Sequence, residues 1–391
     1  MQATATSPTP GIFCDKDAVF SFFSGAGFLD LGFEKSGFEI TFANELNREF
    51  VQGYSHSRAK MGLPLPRYGI ACDSIDDHLL PKGAVALKKQ VAEVRESGQT
   101  VGFIGGPPCP DFSVGGKNRG HKGDNGRLSR SYIDLILAQK PDWFVFENVK
   151  GLWRTKQHRE FFDQLVSDLT AAGYQTKSKL LNSIAFGAPQ DRDRIILFGV
   201  RTSFMKKRKV SLERFDWNFA VKHPERSAFD FEWPTTSKFG ASPKPTSAPN
   251  ELTIQHWFTK NAVINHPNAV HCFVPRAALP RFQSISEGDD SKKCFKRLHR
   301  HRYSPTACYG NNEVHLHPFE ARRISVAEAL AIQSLPKEFE LPSTMSLSAM
   351  FKTIGNGVPY LMSKGIAASI KSFLNSNPCD DLTDDIQRNP K

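Results

Sequence analysis

No stretch of this chain is apolar for long enough to cross a membrane. Its start, MQATATSPTPG, has neither the basic residues nor the apolar core of a secretory signal. Cysteine is sparse, with seven in 391 residues at irregular spacing. An odd, scattered set fits free thiols rather than a disulfide framework. No two cysteines have the close spacing of a zinc site, so no metal is expected. There is no internal repeat. These absences point to a protein of a reducing, cytoplasmic interior, with no membrane as partner.

What is present is enough for one large domain and a smaller one. The hydrophobic content, 39%, is ordinary for a chain that buries a core. Net charge is +11, and it is uneven. Residues 201–300 hold 18 Lys and Arg against 9 Asp and Glu, including MKKRK at 205–209 and KKCFKR at 292–297. A basic region in a near-neutral chain suits a polyanion such as nucleic acid. Taken alone, it suits a solvated basic face equally well.

Short apolar runs alternate with helical periodicity along 18–200. VFSFF (19–23), FEITFAN (38–44), VGFIGG (101–106), DWFVFEN (142–148) and RIILFGV (194–200) read as strands. LDLGFEKSG, a segment starting near Asn47, SYIDLILAQ (131–139) and EFFDQLVSDLTAAG (160–173) read as helices. The expected fold is α/β, a doubly wound and mostly parallel sheet of the Rossmann-like kind. Ligands in such a sheet sit beyond the carboxyl ends of the strands. From 201 to 300 periodicity fades, and a smaller irregular domain is expected. Helical patterning returns at ISVAEALAIQSL (324–335) and LMSKGIAASIKSFL (361–374), within a return segment, 301–375. Residues 1–17 and 376–391 read as tails.

The first strand runs into Phe23-Ser24-Gly25-Ala26-Gly27, where backbone amides can approach a ligand. A dinucleotide fingerprint needs a third glycine, and Asp30 stands there. Singly, each glycine also fits a tight strand–helix turn. Glu45 follows the second strand, where a carboxylate can accept both hydroxyls of a ribose. Asp73, in a loop, can accept from an adenine amino group or can serve as a turn or cap residue. Together they suggest an adenosine-containing ligand.

The third strand ends in GGPPCPDFS (105–113). Prolines on both sides of Cys109 make a rigid turn with few backbone donors. That suits a fixed nucleophile better than a packed thiol. The loop GGKNRGHKGDNGR (115–127) is basic and glycine-rich, able to close over phosphates or to lie as a surface loop. Glu147 sits at an apolar strand end, which favours a raised pKa and proton donation, with surface capping as the alternative. Arg192 and Arg194 are two apart, on one face of a strand. They either pair with acids or hold a base carbonyl and a phosphate.

In this order, the motifs resemble the DNA cytosine-5 methyltransferase family of the restriction-modification type. FSGAGFLDLGFE resembles its cofactor loop, ANEL its ribose-binding strand end and CDS its adenine contact. GGPPCPDFS, FENVKG and QDRDR resemble its Pro-Cys, Glu-Asn-Val and Gln-x-Arg-x-Arg motifs. RRISVAEALAIQSLP and IGNGVP (354–359) resemble the late structural and final cofactor motifs. The resemblance spans 18–200 and 300–375, and the family's target recognition domain falls on the basic stretch between. It implies S-adenosyl-L-methionine held by Phe23, Gly25, Gly27, Glu45, Leu46, Asp73, Ser74, Pro107, Asn356 and Val358. Cys109 would add to carbon 6 of a flipped-out cytosine while Glu147 protonates or hydrogen-bonds nitrogen 3. Arg192 would support the base or its sugar-phosphate, and Arg194 the intermediate or the turn. The implied partner is double-stranded DNA, the implied state a monomer in the bacterial cytosol or nucleoid, with a cognate restriction endonuclease in the same cell. Two departures stand out. Phe28 replaces a common Gly, which would reshape the methionine side of the pocket, and Pro110 replaces a common Gln.

Rival readings are an RNA cytosine-5 methyltransferase on the same core, a catalytically silent DNA-binding relative and a nicotinamide dehydrogenase. The basic segment favours DNA, intact Cys109 and Glu147 favour an enzyme, and Asp30 disfavours the dehydrogenase.

Overall fold

Alternation along the central strands sets the architecture. Strand β1 (Ala18–Phe22) sends Ala18, Phe20 and Phe22 into one apolar cluster and Val19 into another. The same division holds in β5, where Phe144 and Phe146 face one way and Trp143 and Val145 the other. Both sheet faces are therefore buried, which is why these strands read as unbroken apolar runs. The computed structural model describes residues 17–108, 124–224, 231–275, 278–307, 309 and 313–376.

The remaining strands are β2 (Glu39–Asn44), β3 (Ile70–Ala71), β4 (Val101–Gly105), β6 (Tyr174–Asn182) and β7 (Asp193–Arg201). Their order in the sheet is β3-β2-β1-β4-β5-β7-β6. The first five are parallel to one another, and β7 runs antiparallel to both of its neighbours. The order turns back between β1 and β4, so a crevice opens beyond their carboxyl ends.

Helices in chain order are α1 (Phe28–Glu34), α2 (Arg48–Lys60), α3 (Pro81–Glu96), α4 (Asp124–Gln139), α5 (Lys156–Ala171) and α6 (Thr202–Arg208). After them come α7 (Ile254–Lys260), α8 (Leu279–Ser284), α9 (Val326–Ile332), α10 (Leu347–Asn356) and α11 (Tyr360–Leu374). α3, α4 and α5 cover one sheet face, and α1 and α11 the other. Asn47 caps α2, its Oδ1 accepting from the amides of Glu49 and Phe50. Ser325 and Glu328 form a reciprocal cap on α9.

α11 comes from the far end of the chain and lies against α1. At Gly32 a Cβ would fall 2.1 Å from the Ser363 hydroxyl, which itself donates to Leu29 O at 2.6 Å. Only glycine allows that approach.

Asp17, assigned to the N-terminal tail, is buried, and its carboxylate takes bonds from Thr100 and from Lys371 Nζ. Residues of the stretch 201–300 enter more than one apolar cluster. Phe204, Met205, Leu212, Phe215 and Trp217 pack in the apolar cluster under α11. Ile254, Trp257 and Phe258 pack instead with α9 and α10 in a separate core that also takes in Phe28 and Phe50. Apolar residues at irregular spacing in short helices leave no readable period, though they bury as well as any others.

Candidate active site

Two groups of side chains face the crevice. On the β1–β3 side, the chain leaves β1 through Phe23 (φ 55), Gly25 (φ 56) and Gly27 (φ 86). The left-handed turn at Gly27 starts α1, and a Cβ there would fall 2.8 Å from the Tyr54 ring. Ser24 Oγ is buried and has no partner among the described residues. The carboxylate of Glu45, just past β2, is held at both oxygens, by the Gly25 N–H at 2.9 Å and the Asn47 N–H at 2.8 Å. Burial nevertheless raises its pKa above the ordinary value. Leu46 beside it is exposed.

Asp73 is oriented by two residues that sequence reasoning missed. Asn44 Nδ2 donates to its Oδ1 at 2.7 Å, and His78 Nε2 lies 3.1 Å from the same oxygen. The capping role considered for Asp73 belongs to Ser74, whose hydroxyl accepts from Asp76 N at 3.2 Å. Asn44 was findable, since a polar residue closing an apolar strand beside a candidate carboxylate is a signal of its own.

On the β4–β5 side, the chain leaves β4 through Gly106 and buried Pro107. Cys109 lies outside the described residues, as do Pro110 and most of the glycine-rich loop. Glu147, in β5, is 7% exposed, so it is no surface cap. A Cβ on Gly106 would fall 2.5 Å from Glu147 Oε2, so the backbone leading to Cys109 rests against this carboxylate. Arg194, in β7, places Nε 2.6 Å from Glu147 Oε1. Burial raises the Glu147 pKa, while Arg194 and then Arg192 pull it down. Neighbouring Asn148 is buried, and its Nδ2 finds no acceptor among the described residues.

Arg192 reaches the return segment. Its Nη1 donates to Ala307 O at 2.8 Å and its Nη2 to Gly355 O at 2.7 Å. Both terminal nitrogens hold main-chain carbonyls of the return segment. Phe28 differs from expectation. Its ring is turned inward, 5.1 Å from Phe339, with Gly357 flush against it. It therefore fills a core rather than reshaping a pocket.

The return segment closes the crevice. Asn356, the last residue of α10, is exposed, and Val358 packs with the cluster beneath β1. Thr353 Oγ1 lies 3.6 Å from where a Cβ on Gly25 would be. Two sequence motifs more than 300 residues apart thus meet at one loop.

No group of His, Cys, Asp and Glu able to hold a metal occurs among the described residues. No helix among them is long and apolar enough to cross a membrane.

Known proteins with the same pattern exist. Residues 18–372 match the model of the C-5 cytosine-specific DNA methylases. The chain is 56% identical over 363 residues to the type II methyltransferase M.NmeDI of Neisseria meningitidis serogroup C, covering 93% of this chain and 85% of that one. It is 28% identical over 371 residues to M.FnuDI of Fusobacterium nucleatum, covering 91% and 94%. A prophage-encoded E. coli protein described as a DNA modification methyltransferase superposes with a TM-score of 0.64 at 20% identity, over 92% of this chain and all of that one. Spodoptera frugiperda DNMT2 gives 0.55 at 18%, with the same coverage; at such identities the likeness speaks for the fold alone. The family match runs from β1 into the last helix, so this chain belongs to the C-5 cytosine-specific DNA methylases, enzymes that use S-adenosylmethionine to methylate cytosine in DNA, and within them to the type II restriction-modification methyltransferases.

Proposed function

We propose that this enzyme methylates cytosine within a specific duplex DNA sequence through a covalent adduct on Cys109, with Glu147 as the proton-holding group. The observation that carries this reading is the buried Glu147 carboxylate, paired with Arg194 at 2.6 Å and pressed against the Gly106 backbone.

Carbon 5 of cytosine is a poor nucleophile. Addition of the Cys109 thiolate at carbon 6 makes it a better one, because the ring then behaves as an enamine. Negative charge would build up on the ring unless nitrogen 3 is protonated or hydrogen-bonded. After the methyl group joins carbon 5, the carbon 5 proton passes to a base and the Cys109 thiolate leaves carbon 6, which restores the ring. Burial favours the protonated form of Glu147, and Arg194 fixes which oxygen faces the base. Both reacting ring atoms are shielded in a duplex, so the base must leave the stack.

The β1–β3 side fits S-adenosylmethionine, which supplies an electrophilic methyl group when bound. Glu45, ordered by two amides, would take the ribose hydroxyls, and Asp73, ordered by Asn44 and His78, the adenine amino group. Leu46 offers an exposed apolar surface beside them. The buried Ser24 hydroxyl is a polar atom still in need of a partner at the same loop. Basic residues of 201–300 would contact phosphates and a few of its side chains the base edges. A monomer suffices for this chemistry. A cognate endonuclease would share the target site.

The test is transfer of labelled methyl to duplex DNA and to transfer RNA, followed by bisulfite sequencing. Cys109→Ser should abolish transfer while cofactor binding persists, a hydroxyl being far less nucleophilic than a thiolate. Glu147→Gln should lower kcat by about 10²–10⁴-fold, with little change in cofactor affinity. Near-normal turnover in Cys109→Ser, or rescue of Glu147→Gln by saturating cofactor, would overturn the assignment. Transfer to RNA alone would replace the substrate.

A further inference from the structure

A buried line of side-chain amides joins the two halves of the site. Gln190, in the bend before β7, is fully buried, and its Oε1 accepts from the Ala307 N–H at 3.2 Å. Its Nε2 donates to Oε1 of Gln333 at 3.2 Å. Gln333, at the end of α9, is also fully buried. It passes the line on, donating through Nε2 to Ile354 O at 2.5 Å, with Gly357 O at 3.5 Å. The Gln333 carbonyl accepts from Tyr360 N at 2.9 Å. Ser334, next in sequence at φ 55, accepts from Leu361 N at 3.0 Å.

The far end of the line is the 354–357 turn, and that turn has no slack. Arg192 holds Gly355 O from the same side at 2.7 Å. A Cβ on Gly355 would fall 2.9 Å from Tyr309 N, and one on Gly357 would fall 2.2 Å from the Phe28 ring. Each carboxamide in the line uses both its oxygen and its nitrogen. Buried amides so arranged polarise one another and have one favourable orientation, because turning either leaves a donor facing a donor.

We infer that Gln190 and Gln333 are positioning residues that set the 354–358 turn from the base side of the crevice, coupling the segment that carries Arg194 to the segment that carries Asn356 and Val358. This rests on the reading of Asn356 and Val358 as part of the cofactor site. Neither glutamine touches the reacting atoms. Their effect is to fix where the turn lies before the cofactor arrives. Linkage makes the coupling reciprocal: what the base side does to the turn, the occupied turn does to the base side.

The test measures S-adenosylhomocysteine affinity by calorimetry, and kcat and KM for the cofactor, in Gln190→Met, Gln333→Met and the double variant. Methionine keeps the length and removes both polar atoms. Each single change should raise Kd and cofactor KM by about ten-fold, with kcat at saturating cofactor within about two-fold. The double variant should be no worse than the more affected single one, since either cut severs the line. An unchanged Kd in Gln190→Met, or penalties that multiply, would overturn the coupling. A general loss of packing would lower kcat and Tm without this split.

If the methionine variants do not fold, Gln190→Asn and Gln333→Asn keep the amides one methylene short. Hydrogen exchange at residues 354–358 should then quicken in Gln190→Asn, although Gln190 reaches the turn through Gln333; unchanged exchange would refute the relay. Failure of the wild type to bind S-adenosylhomocysteine would instead sink the cofactor reading, and exchange would still report on the relay.

Discussion

The sheet and the region around Arg297 solve the problem of a stable interior in opposite ways. In the sheet, alternate residues of each strand enter two apolar clusters, and the backbone is satisfied within the ladder. Around Arg297 the interior also holds buried charged groups. Arg297 is 1% exposed, and its guanidinium donates to the carbonyls of Phe282, Ile285, His317 and Glu320. Burial lowers its pKa to about 10. Nearby, Glu287 is fully buried and accepts from Arg300 at its main-chain N, at Nε and at Nη2. The first design tolerates any apolar residue of suitable size. The second depends on single side chains, because removing one partner leaves the others buried and unpaired.

The contrast is sharpest in what a single change does. Phe103→Ala, in β4 between Phe20 and Phe22, should cost about 3–5 kcal/mol. It should lower the whole unfolding transition, seen as a drop in Tm by every probe together. A loss confined to one probe would show that the sheet is not one cooperative unit.

Arg297→Met keeps the aliphatic stem and strands four carbonyls. A cost on the order of 3 kcal/mol is expected, but a local one. DNA affinity should fall while S-adenosylhomocysteine affinity is retained, as read by parallel titrations. Equal loss of both would mean that the polar region and the sheet stand or fall together.

The smallest effect concerns a polar group placed inside the apolar half. Asp30 is fully buried, held by Ser21 and Tyr54, with its pKa raised to about 6 by desolvation. Between pH 3.8 and about 6, the folded chain keeps a proton that the unfolded chain has released. Stability from this group therefore falls as pH rises through that window and is level above it. Asp30→Asn should flatten the slope, measured as Tm at pH 4 and pH 6. An unchanged slope would assign the titration to another residue.

These differences also explain what was legible beforehand. β1, β2, β4, β5 and β7 are apolar enough to read directly, and the glycine loop, Glu45 and Glu147 fall at their ends, where a parallel sheet presents ligands. β6, YQTKSKLLN, was missed because an edge strand with little buried surface has no apolar run. α3 was missed because only Leu87, Val91 and Val94 of its 16 residues are buried. The reach of Arg192 to Ala307 and Gly355 was unreadable, since nothing in QDRDR says which arginine pairs with Glu147 and which reaches the return segment. Side-chain direction is settled by tertiary partners far along the chain.

The lodging of α11 against α1 has a consequence in time. α1 and the β1 face beneath it are made before the helix that covers them, which lies more than 300 residues further along the chain. At about 5–20 residues per second, the gap is on the order of tens of seconds. Through that interval Phe33, Phe38 and Ile40 lack their covering helix, and the 354–358 turn does not yet exist. A nascent chain therefore emerges with Glu147 made and the proposed methyl-donor pocket incomplete. On that reading, activity begins only once α11 docks.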